Sequence, residues 1–216
     1  MWRLGNFLVV FISAMLLVSG CSGIRGVEEY NEWLNNESNG CIISNSVAGY
    51  NISVKYQPAS YLVLKQLKDV KKYSKNYIDS LIEVQSHMYT FLMTIGPDET
   101  EKKEDKKAGI MYEGIGNYSE YAERVMSVNF YIDQYIKLYI ANKEKQPVFS
   151  LVENTYELSE HRSFLIVFDR GSKNVSNESG DCVFVYDDPY LGLGKMQFTF
   201  DIRKLNKADN LILAQE

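Results

Sequence analysis

The residues best suited to chemistry lie close together near the carboxyl end of the chain. Asp187 and Asp188 are adjacent, and Tyr190, Gly192 and Gly194 follow within a few positions. Paired carboxylates can bind Ca²⁺ or accept hydrogen bonds from sugar hydroxyls, and a tyrosine ring beside them can stack on a ligand. The same residue types also form ordinary turns, because Asp begins turns and Gly adopts positive φ. The segment lacks the alternating oxygen ligands of an EF-hand loop, which favours the turn over the ligand site.

Motifs for catalysis or cofactor binding are missing from the rest of the sequence. The two histidines, His87 and His161, are far apart, and neither lies in an HExxH motif or in a zinc-binding spacing. The chain has no GxSxG elbow, no P-loop and no GxGxxG fingerprint. We therefore expect a non-enzymatic protein without a cofactor or a metal site, and we expect His161 to be a surface residue.

Two cysteines, Cys41 and Cys182, leave two alternatives open. An exported protein can join them in a disulfide, and a bridge that closes so long a loop would stabilise the fold by about 4 to 5 kcal/mol. Each cysteine, however, begins an apolar run, where a reduced thiol behaves as a small hydrophobic residue. The sequence does not show whether the two cysteines are adjacent in the fold, so it does not decide between the disulfide and the reduced thiols.

The amino terminus has the pattern of a secretory signal. Arg3 precedes an apolar run over residues 7–18, and the small residues Ser19 and Gly20 then lead to Cys21. A transmembrane helix needs about 20 apolar residues, so this run is too short for a permanent span. Its length and its flanking residues suit the hydrophobic region of a cleavable signal peptide.

The segment Leu17-Val18-Ser19-Gly20-Cys21 resembles the lipobox of bacterial lipoproteins. The resemblance implies that residues 1–20 are removed, that the Cys21 thiol carries a diacylglycerol, and that many bacteria also acylate its amine. Two or three acyl chains hold a protein stably at a membrane, whereas one chain holds it marginally. Ser22 follows the cysteine where inner-membrane lipoproteins of enterobacteria have Asp, which indicates the outer membrane. We expect a lipid-anchored envelope protein that faces the periplasm or the cell surface.

The composition of the mature chain restricts its partners and its fold. Removing residues 1–20 takes Arg3 from the 23 Lys and Arg and nothing from the 28 Asp and Glu, so the mature chain is acidic. An acidic surface repels phosphate, and nucleic acid is therefore excluded as the main partner. The full sequence has 16 tyrosines, 10 phenylalanines and only 4 prolines, and this composition favours a chain rich in β-strands.

The amino-terminal half of the mature chain predicts a mixture of helices and strands. Residues 21–39 are expected to form a tether and a short helix, on which Trp33 packs against the domain in preference to stacking on a ligand. Residues 41–44 and 50–57 predict a β-hairpin, and Ser60 is expected to cap a helix that continues to Leu81. Residues 88–95 predict a buried strand, and the charged residues 98–107 predict a solvated surface loop.

The carboxyl-terminal half indicates an antiparallel sheet. Residues 118–140 fit helical and alternating patterns about equally, and the β-branched and aromatic residues from Met126 to Leu138 favour strands. Residues 163–168, 182–186 and 196–202 predict three further strands that no helix separates. The predicted fold is therefore α+β, a mainly antiparallel sheet with one or two packed helices, in a single globular domain over residues 40–216.

Two segments are similar to a set of uncharacterised lipoproteins of Bacteroidota. The first is residues 30–64, with Trp33-Leu34-Asn35-Asn36-Glu37 and Val54-Lys55-Tyr56-Gln57-Pro58, and the second is Tyr186-Asp187-Asp188 with Gly192, Gly194 and Phe198-Thr199-Phe200. The resemblance implies an envelope location and supplies no activity.

Two functions remain open at this point. We expect first a membrane-anchored, non-enzymatic assembly or interaction component with an envelope protein as its partner. Tyrosine-rich strands could offer that partner an edge or a face. The alternative is a surface lipoprotein that binds a glycan or a peptide, with Asp187, Asp188 and Tyr190 at its mouth.

Overall fold

The helices and strands of the domain are taken from a computed structural model that describes residues 26–67, 69–100, 107–153, 159–171 and 180–211. The predicted signal peptide, the acylation site Cys21 and residues 101–106 of the charged segment lie outside the described residues. The helices are α1 (Val27–Asn35), α2 (Ala59–Leu67), α3 (Lys75–Gln85), α4 (Tyr118–Phe130) and α5 (Ile202–Asp209). The strands are β1 (Ile42–Val47), β2 (Tyr50–Tyr56), β3 (Met88–Pro97), β4 (Ile136–Ile140), β5 (Lys143–Lys145), β6 (Pro147–Val152), β7 (Arg162–Asp169), β8 (Asp181–Asp188) and β9 (Gly194–Asp201).

The strands form two antiparallel sheets. One sheet has the order β1-β2-β3-β7-β6 and the other has the order β5-β4-β8-β9. Every strand pair in both sheets is antiparallel. The prediction of an α+β fold with antiparallel sheets is confirmed, although the described residues form five helices where one or two were expected.

The hydrophobic core contains aromatic side chains from both sheets. Phe91 on β3 is fully buried, and its ring lies 5.4 Å from the ring centroid of Phe184 on β8 and 5.4 Å from that of Phe200 on β9. Side chains alternate between the two faces of a strand, so the inward face of β3 is apolar while Leu92 and Thr94 on the other face stay partly exposed. The two sheets therefore pack face to face and share one core.

The short amino-terminal helix is present and is attached to the domain. Tyr30 and Leu34 of α1 are fully buried, and the Tyr30 hydroxyl donates to the Ala208 carbonyl oxygen at 2.7 Å. Trp33 is partly buried and packs against the core, as expected. Within the described part of the chain, no helix combines the length and the apolar character that crossing a membrane requires.

The strand interpretation of residues 118–130 is wrong, because these residues form α4. The Asn117 side chain accepts a hydrogen bond from the Glu120 backbone N–H at 3.1 Å, and the Glu120 carboxylate accepts one from the Gly116 N–H at 2.7 Å. This reciprocal capping satisfies donors that a helix start would otherwise leave without partners. The expectation of a strand holds for residues 136–140, which form β4.

The single long helix predicted from Ser60 is two helices, and Ser60 is not its cap. Ser60 is buried inside α2, where its hydroxyl lies 2.8 Å from the Tyr30 hydroxyl. The second helix, α3, has its own cap, since the Ser74 hydroxyl accepts from the Tyr77 N–H at 3.4 Å. The helical spacing of apolar residues continues from α2 into α3 across the segment that separates them. This continuity led to the prediction of a single helix.

The three carboxyl-terminal strands do not share one sheet as predicted. β7 lies between β3 and β6 in the five-stranded sheet, whereas β8 and β9 belong to the four-stranded sheet. In a fold of two packed sheets, consecutive strands can belong to different sheets. The alternation of apolar and polar residues in a strand does not show to which sheet the strand belongs. The predicted burial of Met196, Phe198 and Phe200 on β9 is confirmed. Ile202, predicted as the end of this strand, is buried instead as the first residue of α5.

The two cysteines are buried thiols that do not form a disulfide with each other. Cys41 and Cys182 are both fully buried, and each packs in the hydrophobic core. Burial raises the pKa of the Cys41 thiol to about 12. The sequence left two alternatives open, a disulfide or two reduced thiols in apolar surroundings. The structure shows the second, in which each cysteine packs as a small hydrophobic residue.

Candidate functional site

Asp188, one of the three candidate ligand residues from the sequence, is occupied by bonds within its own loop. Its Oδ1 accepts from the Tyr186 hydroxyl at 2.9 Å and from the Tyr190 N–H at 3.1 Å. Its Oδ2 accepts from the Leu191 and Leu193 N–H groups at 2.8 and 2.9 Å. Asp188 is only 9 % exposed, so the carboxylate organises the β8–β9 turn and presents little surface to a ligand.

Asp187 and Asp188 do not form a paired carboxylate site. Successive side chains of a strand point to opposite faces, and Asp187 is exposed opposite Lys195 while Asp188 is buried. Gly192 and Gly194 have φ values of +72° and +70°, which residues with side chains rarely adopt. This arrangement fits the turn interpretation of the segment.

Tyr190 joins the β8–β9 turn to α4. Its hydroxyl lies 2.7 Å from the Ser127 hydroxyl, and the Arg124 guanidinium lies 5.0 Å from its ring centroid. The Tyr135 ring meets it edge to face at 6.0 Å. Burial raises the pKa of the Tyr190 hydroxyl. With both its ring and its hydroxyl in use, Tyr190 is a positioning residue for α4.

Arg124 extends this connection to the segment that precedes α4. It donates a hydrogen bond from Nη1 to the carbonyl oxygen of Ile110, which is fully buried. The pKa of the Tyr50 hydroxyl on β2 is raised, first by burial and then by the Glu113 carboxylate. The turn at Asp188, the segment before α4 and the start of β2 therefore meet at one end of the sandwich.

A shallow groove lined by tyrosines opens at this end of the molecule, and we call it the tyrosine groove. It has a volume of about 440 Å³ and is lined by Tyr112, Ile115, Gly116, Asn117, Tyr118 and Tyr121. The rings of Tyr112 and Tyr121 stack with centroids 5.7 Å apart and planes 14° apart. Tyr118 is 83 % exposed. Exposed tyrosine rings beside backbone amides can stack on a flat ligand and hydrogen-bond its edge.

Part of the tyrosine groove could have been found from the sequence, but interpreting residues 118–130 as a strand obscured the helical pattern. Tyr118 and Tyr121 are three positions apart, which places them on one face of a helix. Asn117 followed by Glu120 is the pattern of a capped helix start. Tyr112, by contrast, comes from a loop whose path no periodicity predicts.

Neither histidine belongs to the groove. His87 is exposed two residues past the end of α3, and its Nε2 lies 3.9 Å from a carboxylate oxygen of Glu83 on that helix. His161 is partly buried and its ring packs so closely on Gly96 that a Cβ atom there would collide with it. The described residues contain no group of three or more His, Cys, Asp or Glu side chains arranged to hold a metal ion.

A second polar network lies at the opposite end and attaches α5. Arg170 contacts the Asp209 carboxylate at 2.6 Å and Asn206 at 2.8 Å, and its guanidinium lies 4.5 Å from the Tyr89 ring centroid. The Tyr56 hydroxyl donates to Asp209 at 2.7 Å. The ion pair is largely buried, at 17 % and 16 % side-chain exposure, and each charge has several partners. This network holds the last helix onto the sandwich.

Comparisons with known proteins add no function. No protein-family model matches the chain, and no curated protein matches it. A crystal structure of a protein of unknown function from Burkholderia pseudomallei is similar over 87 % of this chain and 94 % of its own, at 11 % identity and a TM-score of 0.34. A similarity of that degree assigns neither a fold relationship nor an activity.

Proposed function

We propose that this chain is a lipid-anchored envelope lipoprotein whose α+β domain is a non-enzymatic assembly or interaction component. The lipobox at Leu17-Val18-Ser19-Gly20-Cys21 supports the anchor. Only five residues separate Cys21 from α1, which begins at Val27, so an acylated Cys21 would hold the domain close to the bilayer.

The observation that carries the interaction role is a set of large apolar side chains on α4, the residue after it, and β6. The exposed fractions are 52 % for Met126, 66 % for Phe130, 47 % for Tyr131, 58 % for Val148, 52 % for Phe149 and 51 % for Leu151. Because α4 and β6 contact one another, we treat these six residues as one feature, the α4–β6 surface. Soluble monomers rarely expose large contiguous apolar patches, and such patches mark sites of association.

The polar chemistry of the domain supports a non-enzymatic role. Asp188 and Tyr190 were the residues of the sequence best placed to act on a ligand, and their polar groups are committed to the β8–β9 turn and to α4. The Arg170–Asp209 pair is committed to α5 in the same way.

Association through the α4–β6 surface should depend on Phe130. We expect Phe130→Ser to reduce the yield of the partner that co-purifies with the chain from detergent-solubilised membranes, because the ring is 66 % exposed and its loss leaves the core intact. Tyr77→Ser is the matched control, since Tyr77 is 47 % exposed on α3, outside this surface. A wild-type chain that always elutes alone at monomer mass would contradict the role.

Binding of a glycan or a peptide is the second candidate, and the tyrosine groove is the observation that favours it. In this role Tyr118 replaces Tyr190 as the expected ligand contact, because Tyr118 is exposed whereas Tyr190 is partly buried and bonded to Ser127. Aromatic rings that remain accessible supply stacking surface at a low cost in conformational entropy.

The ligand role predicts a loss of binding without a loss of stability. Tyr118→Ala should abolish any signal on a glycan or peptide array and should change the free energy of unfolding by less than about 0.5 kcal/mol, since exposed side chains contribute little. Tyr73→Ala serves as the control, because Tyr73 is an exposed tyrosine beside α3. An array without signal for the wild-type chain, or a signal that Tyr118→Ala leaves unchanged, would rule this role out.

A further inference from the structure

The helix α3 carries an exposed apolar stripe. Tyr77 and Val84 are seven positions apart, which is two helical turns, so both lie on the same side of the helix. Val84 is 71 % exposed and Tyr77 is 47 % exposed. Tyr73 lies one turn before Tyr77, and its exposed ring stacks on the Tyr77 ring with centroids 5.4 Å apart. We call Tyr73, Tyr77 and Val84 the α3 stripe.

The α3 stripe is not the side by which α3 attaches to the domain. Ile78 and Ile82, which lie on a different side of the helix, are partly buried, and α3 packs on α2. None of the residues of α3 is fully buried. A surface helix of a soluble domain usually has one apolar side, which faces the core, and polar residues on the other. The α3 stripe is therefore a second apolar side, and it faces away from the domain.

The segment that leads into α3 is basic, although the protein as a whole is acidic. Residues 65–79 contain five lysines and two carboxylates, whereas the full sequence has 23 Lys and Arg against 28 Asp and Glu. Lys72 and Lys75 are exposed, and they contact Asp69 at 3.4 Å and Asp79 at 2.7 Å. Exposed ion pairs of this kind are weak, and they leave the segment with an excess of positive charge.

The basic segment and α3 belong to the part of the domain that is nearest the proposed anchor. Five residues separate Cys21 from α1, so Cys21 lies within about 20 Å of the start of that helix. α1 packs directly on α2, because the Tyr30 ring lies 5.5 Å from the Tyr61 ring and the Tyr61 hydroxyl donates to Asn31 at 3.2 Å. α2 in turn contacts α3. A bilayer that holds Cys21 is therefore close to the α3 stripe.

We propose that the α3 stripe and the lysines before it lie on the anionic phospholipid surface to which Cys21 anchors the chain. The inference rests on the proposed lipid anchor and adds an orientation to it. Each lysine near an anionic bilayer is attracted to the headgroup phosphates. Tyrosine suits the boundary of a bilayer, because its ring is apolar and its hydroxyl is polar. Helices that lie in this boundary bury an apolar side and keep basic residues at the headgroups.

The acidic residues of α1 decide which helix makes the contact. Glu28, Glu29 and Glu32 of α1 are exposed, and headgroup phosphates repel their carboxylates. The basic segment before α3 is attracted by the same phosphates. The domain therefore meets the bilayer through α3 and not through α1, and the five residues before α1 are long enough to allow this orientation.

A dye attached to α3 tests the contact in the full chain, reconstituted in phospholipid vesicles. Val84→Cys is labelled with the thiol-reactive dye NBD, since an acylated Cys21 has no free thiol and Cys41 and Cys182 are buried. We expect a spin-labelled phospholipid to quench the dye in vesicles of phosphatidylcholine and phosphatidylglycerol. The quenching should be weaker in phosphatidylcholine alone, and it should decline as salt is added, because salt screens exposed charges.

Matched controls test the position and the charge separately. Val148→Cys places the dye on β6, where the valine is 58 % exposed, and this dye should not be quenched. Lys72→Gln combined with Lys75→Gln should reduce the docking equilibrium constant by up to about fivefold for each lysine. Lys143→Gln combined with Lys195→Gln removes the same charge from exposed positions on β5 and β9, and it should leave the quenching unchanged.

The outcomes distinguish the α3 contact from the anchor. A chain that stays with the vesicles while the dye at residue 84 is unquenched, or is quenched no more than the dye at residue 148, contradicts the contact and leaves the anchor standing. Quenching that neither salt nor the substitutions at Lys72 and Lys75 reduce also contradicts it. A dye that is shielded only when another membrane protein is added assigns the α3 stripe to a protein and overturns the proposal.

Two further results complete the test. A chain that does not stay with the vesicles removes both the anchor and the contact. If Val84→Cys does not fold, Ser80→Cys takes its place, because Ser80 is exposed between Tyr77 and Val84 on the same side of α3. The same quenching is expected from that position, and its absence contradicts the contact.

Discussion

Phe91→Ala is expected to lower the free energy of unfolding by about 3 to 5 kcal/mol, the usual cost of emptying a buried aromatic site. The Phe91 ring is fully buried and touches rings from both sheets, with centroids 5.5 Å from Tyr56, 6.2 Å from Phe168 and 5.4 Å from Phe184. Its removal therefore leaves a cavity between the two layers that the neighbouring rings fill incompletely. Urea denaturation followed by circular dichroism measures the loss.

Phe130→Ala is the matched control for this prediction. Phe130 has the same side chain but is 66 % exposed on α4, so its truncation should change the free energy of unfolding by less than about 0.5 kcal/mol. Equal losses for the two variants would mean that the core does not lie between the sheets as described.

Asp188→Ala is expected to cost about 2 to 4 kcal/mol, because it leaves three backbone N–H groups and one tyrosine hydroxyl without their acceptor. Asp188→Asn should lose less, since the amide retains one acceptor oxygen. Asp187→Ala is the control, and its exposed side chain predicts a change of less than about 0.5 kcal/mol. The same denaturation series measures all three variants.

The contrast between these neighbours separates a structural role from a ligand-binding role. If Asp188 organises the β8–β9 turn, its loss lowers stability and Asp187 contributes almost nothing. If the two carboxylates acted together on a ligand, removing either would abolish binding and neither would dominate stability. Equal stabilities for Asp187→Ala and Asp188→Ala would therefore contradict the geometry of the turn.

The strands were predictable wherever one face of a strand is buried and the other is wet. In β2, Tyr50, Ile52, Val54 and Tyr56 are buried and the residues between them are partly exposed, and the sequence shows the same alternation. In β9 the alternation of Met196, Phe198 and Phe200 with polar residues has the same cause. Burial of one face of a strand makes apolar and polar residues alternate with a period of two, and this alternation is visible in the sequence.

The failures come from information that a local pattern does not contain. In α4, β-branched and aromatic residues suggested strands, but Asn117 and Glu120 cap a helix, and only Val128 among its residues is classed as buried. The assignment of β7 to one sheet and of β8 to the other depends on contacts between distant segments. Propensity is a weak guide when tertiary contacts decide.

The sequence predicted the residues that form the β8–β9 turn, but it did not predict the tyrosine groove. Asp188 and the two glycines were identified as turn formers from their types alone, and their bonds and φ values agree with that interpretation. The tyrosine groove joins a loop residue, Tyr112, to the helix residues Tyr118 and Tyr121. No spacing in the sequence brings the first of these to the other two.

Acylation of Cys21 is the claim on which the envelope role depends, and metabolic labelling with an alkyne fatty acid tests it most directly. We expect a labelled protein whose amino-terminal peptide, read by mass spectrometry, begins at an acylated Cys21, and a Cys21→Ala variant that carries no label. A wild-type chain that stays unlabelled, or whose mature form retains residues 1–20, would contradict the proposed envelope role.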